Sequence, residues 1–141
     1  MDESYPEVDY LVVGAGAAGM AFVDTLLTET DATIGIVDRH HRPGGHWNDA
    51  YPFVRLHQPS FFYGVNSRPL GSGALDTQGP NQGLSELASG AEILAYFDGV
   101  MRQQFLPSGR VQYWPMADFE DDETVLSRLS GVRRRISARK I

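Results

Sequence analysis

The sequence predicts an α/β fold on a parallel sheet. Three observations point to it: a short apolar run closed by glycine, an amphipathic segment that opens directly after it, and a second apolar run close behind. Residues 10–13, Tyr10-Leu11-Val12-Val13, show no alternation and read as a strand buried on both faces, the kind found in parallel sheets. From Ala17 to about Glu29, residues Gly19, Phe22, Val23, Leu26 and Leu27 recur at the spacing of one helical face, with no proline among them. Thr33-Ile34-Gly35-Ile36-Val37 then supplies a second buried strand. Strand, helix and strand form a βαβ unit, for which a right-handed crossover is expected.

Residues 39–88 hold five prolines and seven glycines with little periodicity, and a loop that long inside a compact domain is expected to be functional. Order returns at Ser89-Gly90-Ala91-Glu92, where the Ser and Glu have the spacing of a capping box. Ile93, Phe97, Val100, Met101 and Phe105 trace one apolar helical face down to Pro107. Residues 111–116 read as a third strand and residues 119–123 as an acidic turn with a solvated face. Val125, Ser127 and Leu129 alternate before a Ser130-Gly131 turn, and Val132, Arg134 and Ile136 after it, which predicts a hairpin. Arg139-Lys140-Ile141 is left without a strand partner. Three parallel strands and a C-terminal β-hairpin make an incomplete parallel sheet beside the usual doubly wound fold.

The length of 141 residues and mass of 15.6 kDa fit a single domain, residues 1–141, with residues 119–141 forming its hairpin and basic end. Apolar residues at 42% and charged residues at 21% are ordinary globular usage, which argues against disorder or a coiled coil. The absence of cysteine excludes disulfides, zinc fingers, iron–sulfur sites and thiol nucleophiles. No apolar run is long enough for a bilayer, and Met1-Asp2-Glu3 is acidic where a signal peptide is basic. The expectation is a cytoplasmic chain with no membrane partner. Residues 1–127 carry all 18 acids and six arginines, while residues 128–141 carry six basic residues and no acid. The net charge of −6 disfavours a nucleic-acid partner, so the basic end reads as a solvated hairpin or a chain end out of context.

Gly14-Ala15-Gly16-Ala17-Ala18-Gly19 matches G-x-G-x-x-G between a predicted strand and a predicted helix. The first glycine permits the tight turn, the second lets a pyrophosphate approach the backbone, and the third lets helix pack on strand. The anion then sits at the helix N-terminus, where unpaired N–H groups and the positive dipole end converge. Asp38, at the end of the second strand, is placed to accept hydrogen bonds from a ribose, with Arg39 beside it. These features together predict a Rossmann-like FAD/NAD(P)-binding domain. Asp38 by itself suits the adenosine ribose of FAD or of NAD equally.

Beyond Asp38 the sequence reads His40-His41-Arg42-Pro43-Gly44-Gly45-His46-Trp47-Asn48, followed by Tyr51-Pro52, Arg55, Pro59-Ser60 and Tyr63. This register resembles the amino-terminal FAD region of flavin-containing and Baeyer–Villiger-type monooxygenases, over residues 8–118. The resemblance implies that residues 14–19 hold the FAD pyrophosphate and Asp38 the adenosine ribose. It makes Gly45 of the Gly-Gly-x-Trp turn a cofactor-binding residue and places His46 and Trp47 along the flavin, the backbone near His57 and the ring of Tyr63 beside the isoalloxazine, and the main chain at Met116-Ala117 against the adenine. Two residues depart from that pattern: the ribose acid there is glutamate rather than Asp38, and Baeyer–Villiger members have aspartate where this chain has His57. The second glycine-rich fingerprint for NADPH, a further motif between the nucleotide sites and later strands of the flavin region have no counterpart here. The resemblance therefore implies the front part of a longer enzyme, with any NAD(P)H site outside this chain and the sheet completed by a C-terminal region or a second chain.

Competing readings accompany these. His40, His41, His46 and His57 fall within eighteen residues, but a proline-rich loop without cysteine favours polar contacts to a cofactor over a metal site. Arg55 is the one candidate catalytic residue, as an electrostatic stabiliser of reduced flavin or of a substrate anion, against a structural ion pair. No serine–histidine–aspartate arrangement or nucleophile elbow is present, so redox chemistry would be the cofactor's. The alternatives to an oxidoreductase fragment are a non-catalytic NAD- or adenine-nucleotide-binding module and an inactive remnant.

Overall fold

The computed structural model describes residues 6–141, so the acidic Met1-Asp2-Glu3 lies outside the described residues. β1 (Glu7–Val13), α1 (Ala17–Glu29) and β2 (Ile34–Val37) form the expected strand, helix and strand, with β1 and β2 parallel. The long connection then holds two 3₁₀ turns, Gly45–Asp49 and Ser60–Phe62, and a two-residue ladder of β3 (Gly64–Val65) on β4 (Arg68–Pro69). This stretch is less irregular than its composition suggests, because Trp47, Leu56, Val65, Leu70 and Ala88 are buried and tie it to the core.

α2 (Gly90–Val100) begins at Ser89 with both halves of the capping box in place, as the spacing predicts. Its apolar face continues through a π-helical turn at Met101–Phe105 and a 3₁₀ turn at Leu106–Ser108 before Gly109 reverses the chain. β5 (Val111–Trp114) pairs parallel with β2. It ends two residues earlier than predicted, because Met116 adopts a left-handed conformation at φ 51° and donates its N–H to His40 O.

The C-terminal region departs furthest from expectation. β6 (Ala117–Glu120), β7 (Thr124–Ser127) and β8 (Arg133–Arg135) form a three-stranded antiparallel meander, so the predicted acidic turn shrinks to three residues and the predicted hairpin gains a strand. β9 (Ser137–Lys140) then pairs parallel with β1, with Glu7 opposite Ser137 and Tyr10 opposite Lys140. The main sheet thus has four parallel strands in the order β5-β2-β1-β9, and the basic end has the partner that sequence pattern did not provide.

Successive residues of the sheet supply two cores. Ile34 and Ile36 pack with Met20, Phe97 and Phe105 beneath the helices. Leu11 and Val37 pack with Ala117, Val125 and Ile136 beneath the meander. The result is helices, parallel sheet and meander in three layers. Charge asymmetry becomes cross-strand pairing: Arg128 forks onto Asp118 at 2.7 and 2.8 Å, Arg133 reaches Glu120 at 2.9 Å, and Arg135 lies 4.0 Å from Glu123. Glu120 and Glu123 of the acidic run are therefore partnered, while Asp121 and Asp122 between them are exposed.

Two side chains outside the predicted pattern set the position of α1. Arg110 closes its C-terminus, donating to Leu26, Leu27, Thr30 and Ala32 carbonyls at 2.5–3.4 Å, where the helix leaves acceptors unpaired. Asp24, buried in the middle of the helix, accepts from the backbone N–H and hydroxyl of Ser67 and so fastens the β3–β4 connection. Phe22, expected on the buried face, is half exposed and meets Tyr10 edge-on at 5.9 Å, while Met20 takes the interior. Val13 is likewise exposed, because it stands at the open C-terminal end of β1.

Candidate functional site

The C-terminal ends of β1 and β2 face a groove of about 450 Å³ lined by Gly14, Gly16, Asp38, Arg39, Gly45, His46 and the start of β6. Its floor is the N-terminus of α1. Gly16 caps that helix without any side-chain hydrogen bond, and no acidic residue lies in the first turn. Ala17, Ala18 and Gly19 therefore present a helix start that the chain's own side chains leave uncapped. α2 contrasts sharply, since Ser89 and Glu92 close its N-terminus.

Each glycine of the turn has a different neighbour. A Cβ on Gly19 would lie 2.1 Å from Gly14 O, so the third glycine allows helix and turn to touch. A Cβ on Gly16 would lie 3.6 Å from Gly45 Cα, which places the second glycine directly under the Gly44-Gly45 segment. Gly45 is held at φ +56°, and a Cβ there would come within 2.9 Å of Gly16 Cα. The strap is fastened by Gly44 N–H donating to Ala15 O at 2.9 Å. Two glycine turns thus meet backbone to backbone over the helix start, through pairs of residues 29 apart.

Asp38 is 7% exposed and already engaged. Its Oδ2 accepts from Ala15 N–H at 2.7 Å, while Oδ1 accepts from His40 N–H at 2.7 Å. His40 Nδ1 stands 3.0 Å from the same Oδ1, and Nε2 stands 2.8 Å from Asp49 Oδ2. The hydrogen bond to Asp49 is the main cause holding the His40 imidazole above its ordinary pKa, with Asp38 adding to it against a burial penalty. Asp49 is in turn held below the usual carboxylate range, chiefly by His40. In the sequence His40 is one of four loop histidines with Asp38 and Asp49 nearby, and only the Asp-x-His spacing of residues 38–40 points to part of this bridge.

The other candidates fall outside the groove floor or are already bonded. Ala117 sits at the groove wall, but its N–H donates to Asp38 O at 2.9 Å, so that amide is not free for an adenine. Trp47 is buried, donates its indole N–H to Tyr63 Oη at 3.0 Å, and lines a larger cleft of about 700 Å³ against α2 that contains none of the fingerprint glycines. His57 is exposed and lies away from the groove lining. Arg55 is exposed, donates to Leu87 O at 3.1 Å and bridges to Ser89, so it makes a backbone contact rather than an ion pair. Among the described residues, no group of three or more His, Asp or Glu is arranged to hold a metal ion, and no helix is long and apolar enough to cross a membrane.

Parallel strands, a glycine turn onto an uncapped helix and an acid at the end of the second strand define a Rossmann-like dinucleotide-binding domain. Residues 12–67 match the family model of the NAD(P)-binding Rossmann-like domain. The chain is 62% identical over 116 residues to an uncharacterized protein of Mycobacterium tuberculosis (strain ATCC 25618 / H37Rv), covering 82% of this chain and 22% of that protein. It is 32% identical over 93 residues to a ferredoxin–NADP reductase of Salinispora tropica, covering 66% of this chain and 29% of the reductase. Among solved structures, a flavin-containing monooxygenase from Stenotrophomonas maltophilia superposes with a TM-score of 0.66 at 22% identity, over 96% of this chain and 38% of that one. An oxidized steroid monooxygenase bound to NADP superposes with a TM-score of 0.57 at 25% identity, over 94% of this chain and 25% of that one. The chain spans about a fifth of the length of the first curated relatives it matches. The likeness to flavin-containing and Baeyer–Villiger-type monooxygenases thus extends over most of this chain at the level of fold.

Proposed function

We propose that this chain is the FAD-binding part of a longer flavin-dependent, NAD(P)H-linked oxidoreductase of monooxygenase type. The observation that carries the reading is the uncapped start of α1 facing a groove that also presents Asp38, Gly45 and His46. A bare helix N-terminus favours a pyrophosphate, and the glycines leave room for it, since no heavy atom lies within 4 Å of a Cβ placed on Gly14. On this reading Gly14, Gly16, Ala17, Ala18 and Gly19 hold the pyrophosphate, and Asp38 with Arg39 meets the adenosine ribose. Gly45 and His46 border the path toward the flavin; Trp47, His57 and Tyr63 belong to its surroundings, and Ala117 to the adenine wall. Bound FAD would supply two-electron redox chemistry that the side chains lack. The names of the monooxygenases and the reductase above support the assignment, as does the larger size of those proteins. The NAD(P)H site and any strand added to the sheet would then come from a further region or a second chain.

Near-visible absorbance of the purified chain, before and after incubation with FAD and desalting, tests the reading. Retained flavin bands are the expected result. A colourless protein that takes up no FAD overturns it for this chain. A second reading, a non-catalytic NAD-binding module, draws on Asp38, which suits the ribose of NAD as well as that of FAD. Tight NAD binding with no FAD retention would select it.

A further inference from the structure

We propose that His40 is a positioning residue for the dinucleotide: as an imidazolium it ties the carboxylate of Asp38 to Asp49 on the glycine strap and holds the two walls of the groove in register. The inference rests on the dinucleotide reading above and concerns residues outside the glycine fingerprint.

The geometry dictates the charge. Both ring nitrogens of His40 face carboxylate oxygens, at 3.0 Å to Asp38 and 2.8 Å to Asp49. An ionised carboxylate only accepts, so both nitrogens must donate, and only the imidazolium can do that. A neutral ring satisfies one partner and leaves the other facing a lone pair. The backbone of the same segment is pinned independently, because Asp38 O accepts from Ala117 N–H and His40 O from Met116 N–H. The imidazole therefore reaches from a pinned backbone to the exposed carboxylate of Asp49. One end leads through Asp38 Oδ2 to the N–H of Ala15 in the fingerprint turn. The other leads through Asp49 to the 3₁₀ turn Gly45–Asp49, whose first residue lies on Gly16.

The remaining charged or titratable groups lining the groove are Arg39, His46 and Asp118. Asp118, on β6, is already paired with Arg128. Arg39 acts on Asp49 and Asp118 as a distant positive charge. His46 is exposed and has no partner carboxylate in the bridge, so the imidazole placed to couple protonation to the walls is His40.

The test is a titration of the full chain with FAD, and in parallel with NAD, by fluorescence from about pH 5.5 to about pH 9. The chain is compared with His40→Gln, which does not titrate and has one donor nitrogen in place of two on opposite sides of a ring, and with Asp49→Asn at the exposed end of the bridge. Imidazole NMR signals follow His40 in the same samples. The native chain is expected to lose about tenfold in affinity as pH rises through the His40 titration. His40→Gln should bind weakly with that step absent, and Asp49→Asn should move both the step and the His40 signal to lower pH. Equal affinity and an unchanged pH step in both variants would overturn the positioning role. Failure of the native chain to bind either dinucleotide at any pH would instead sink the reading of the site, and the role of His40 with it.

Discussion

Gly45 lies against Gly16 so closely that a Cβ on Gly45 would stand 2.9 Å from Gly16 Cα. The contact joins the glycine fingerprint to the Gly44-Gly45 strap and leaves no space for a Cβ on Gly45. It also separates two kinds of glycine in the same turn, those that shape the groove and those that hold the fold.

Gly16→Val places branched carbons where the Cβ position is 3.6 Å from Gly45 Cα, and Gly45→Ala forces a left-handed alanine into backbone contact. Both are expected to abolish dinucleotide retention with far-ultraviolet circular dichroism nearly unchanged. Gly45→Ala should also cost about 1–3 kcal/mol for its strained backbone. Gly19→Ala meets Gly14 O at 2.1 Å and is expected to lower the urea midpoint as well as binding, because helix and strand must separate. Equal loss of fold in all three would contradict this division.

Arg110→Ala removes the cation that satisfies four carbonyls at and beyond the end of α1. A loss of about 2 kcal/mol is expected from urea denaturation. Arg110→Lys should recover less than half, since an ammonium cannot fork across several acceptors.

Ile136 is fully buried between the meander and β9, although the segments on either side of it are polar and exposed. Ile136→Ala is expected to cost about 2–5 kcal/mol. Backbone amides within β9 should resist hydrogen exchange when β9 is paired with β1. Rapid exchange there, with no effect of the substitution, would return the basic end to a solvated tail.

The His40–Asp49 bridge gives stability without ligand a defined pH window. His40 has a raised pKa in the folded chain, so its contribution is present below the unfolded imidazole value and lost as pH rises through the folded one. Asp49 has a lowered pKa, so its contribution is present above the unfolded carboxylate value and lost as pH falls through the folded one. Denaturation midpoints of the native chain are expected to fall between about pH 6 and about pH 9 more steeply than those of His40→Gln. Parallel slopes would contradict the bridge.

Much of the fold was legible because its signals are local. The run at residues 10–13, the period of α1, the Ser89–Glu92 cap and the strand at residues 34–37 each follow from neighbouring residues. Half of the groove was equally legible: Gly14, Gly16, Asp38, Gly45, His46 and Ala117 line it together. The rest was not. The Trp47 indole N–H bonds the Tyr63 phenol across the core, a contact that their shared motif register with Gly45 does not announce.

The sequence by itself determined the βαβ unit, the glycine turn, the acid after β2 and the capped start of α2, because backbone conformation and hydrophobic period act over a few residues. Only the tertiary structure decided that polar β9 pairs with β1, that Arg110 closes α1, and that His40 joins Asp38 to Asp49. Those contacts bring together groups up to 130 residues apart. Their free energy comes from backbone pairing, burial and charge at long range, which short polar segments do not announce in their own pattern.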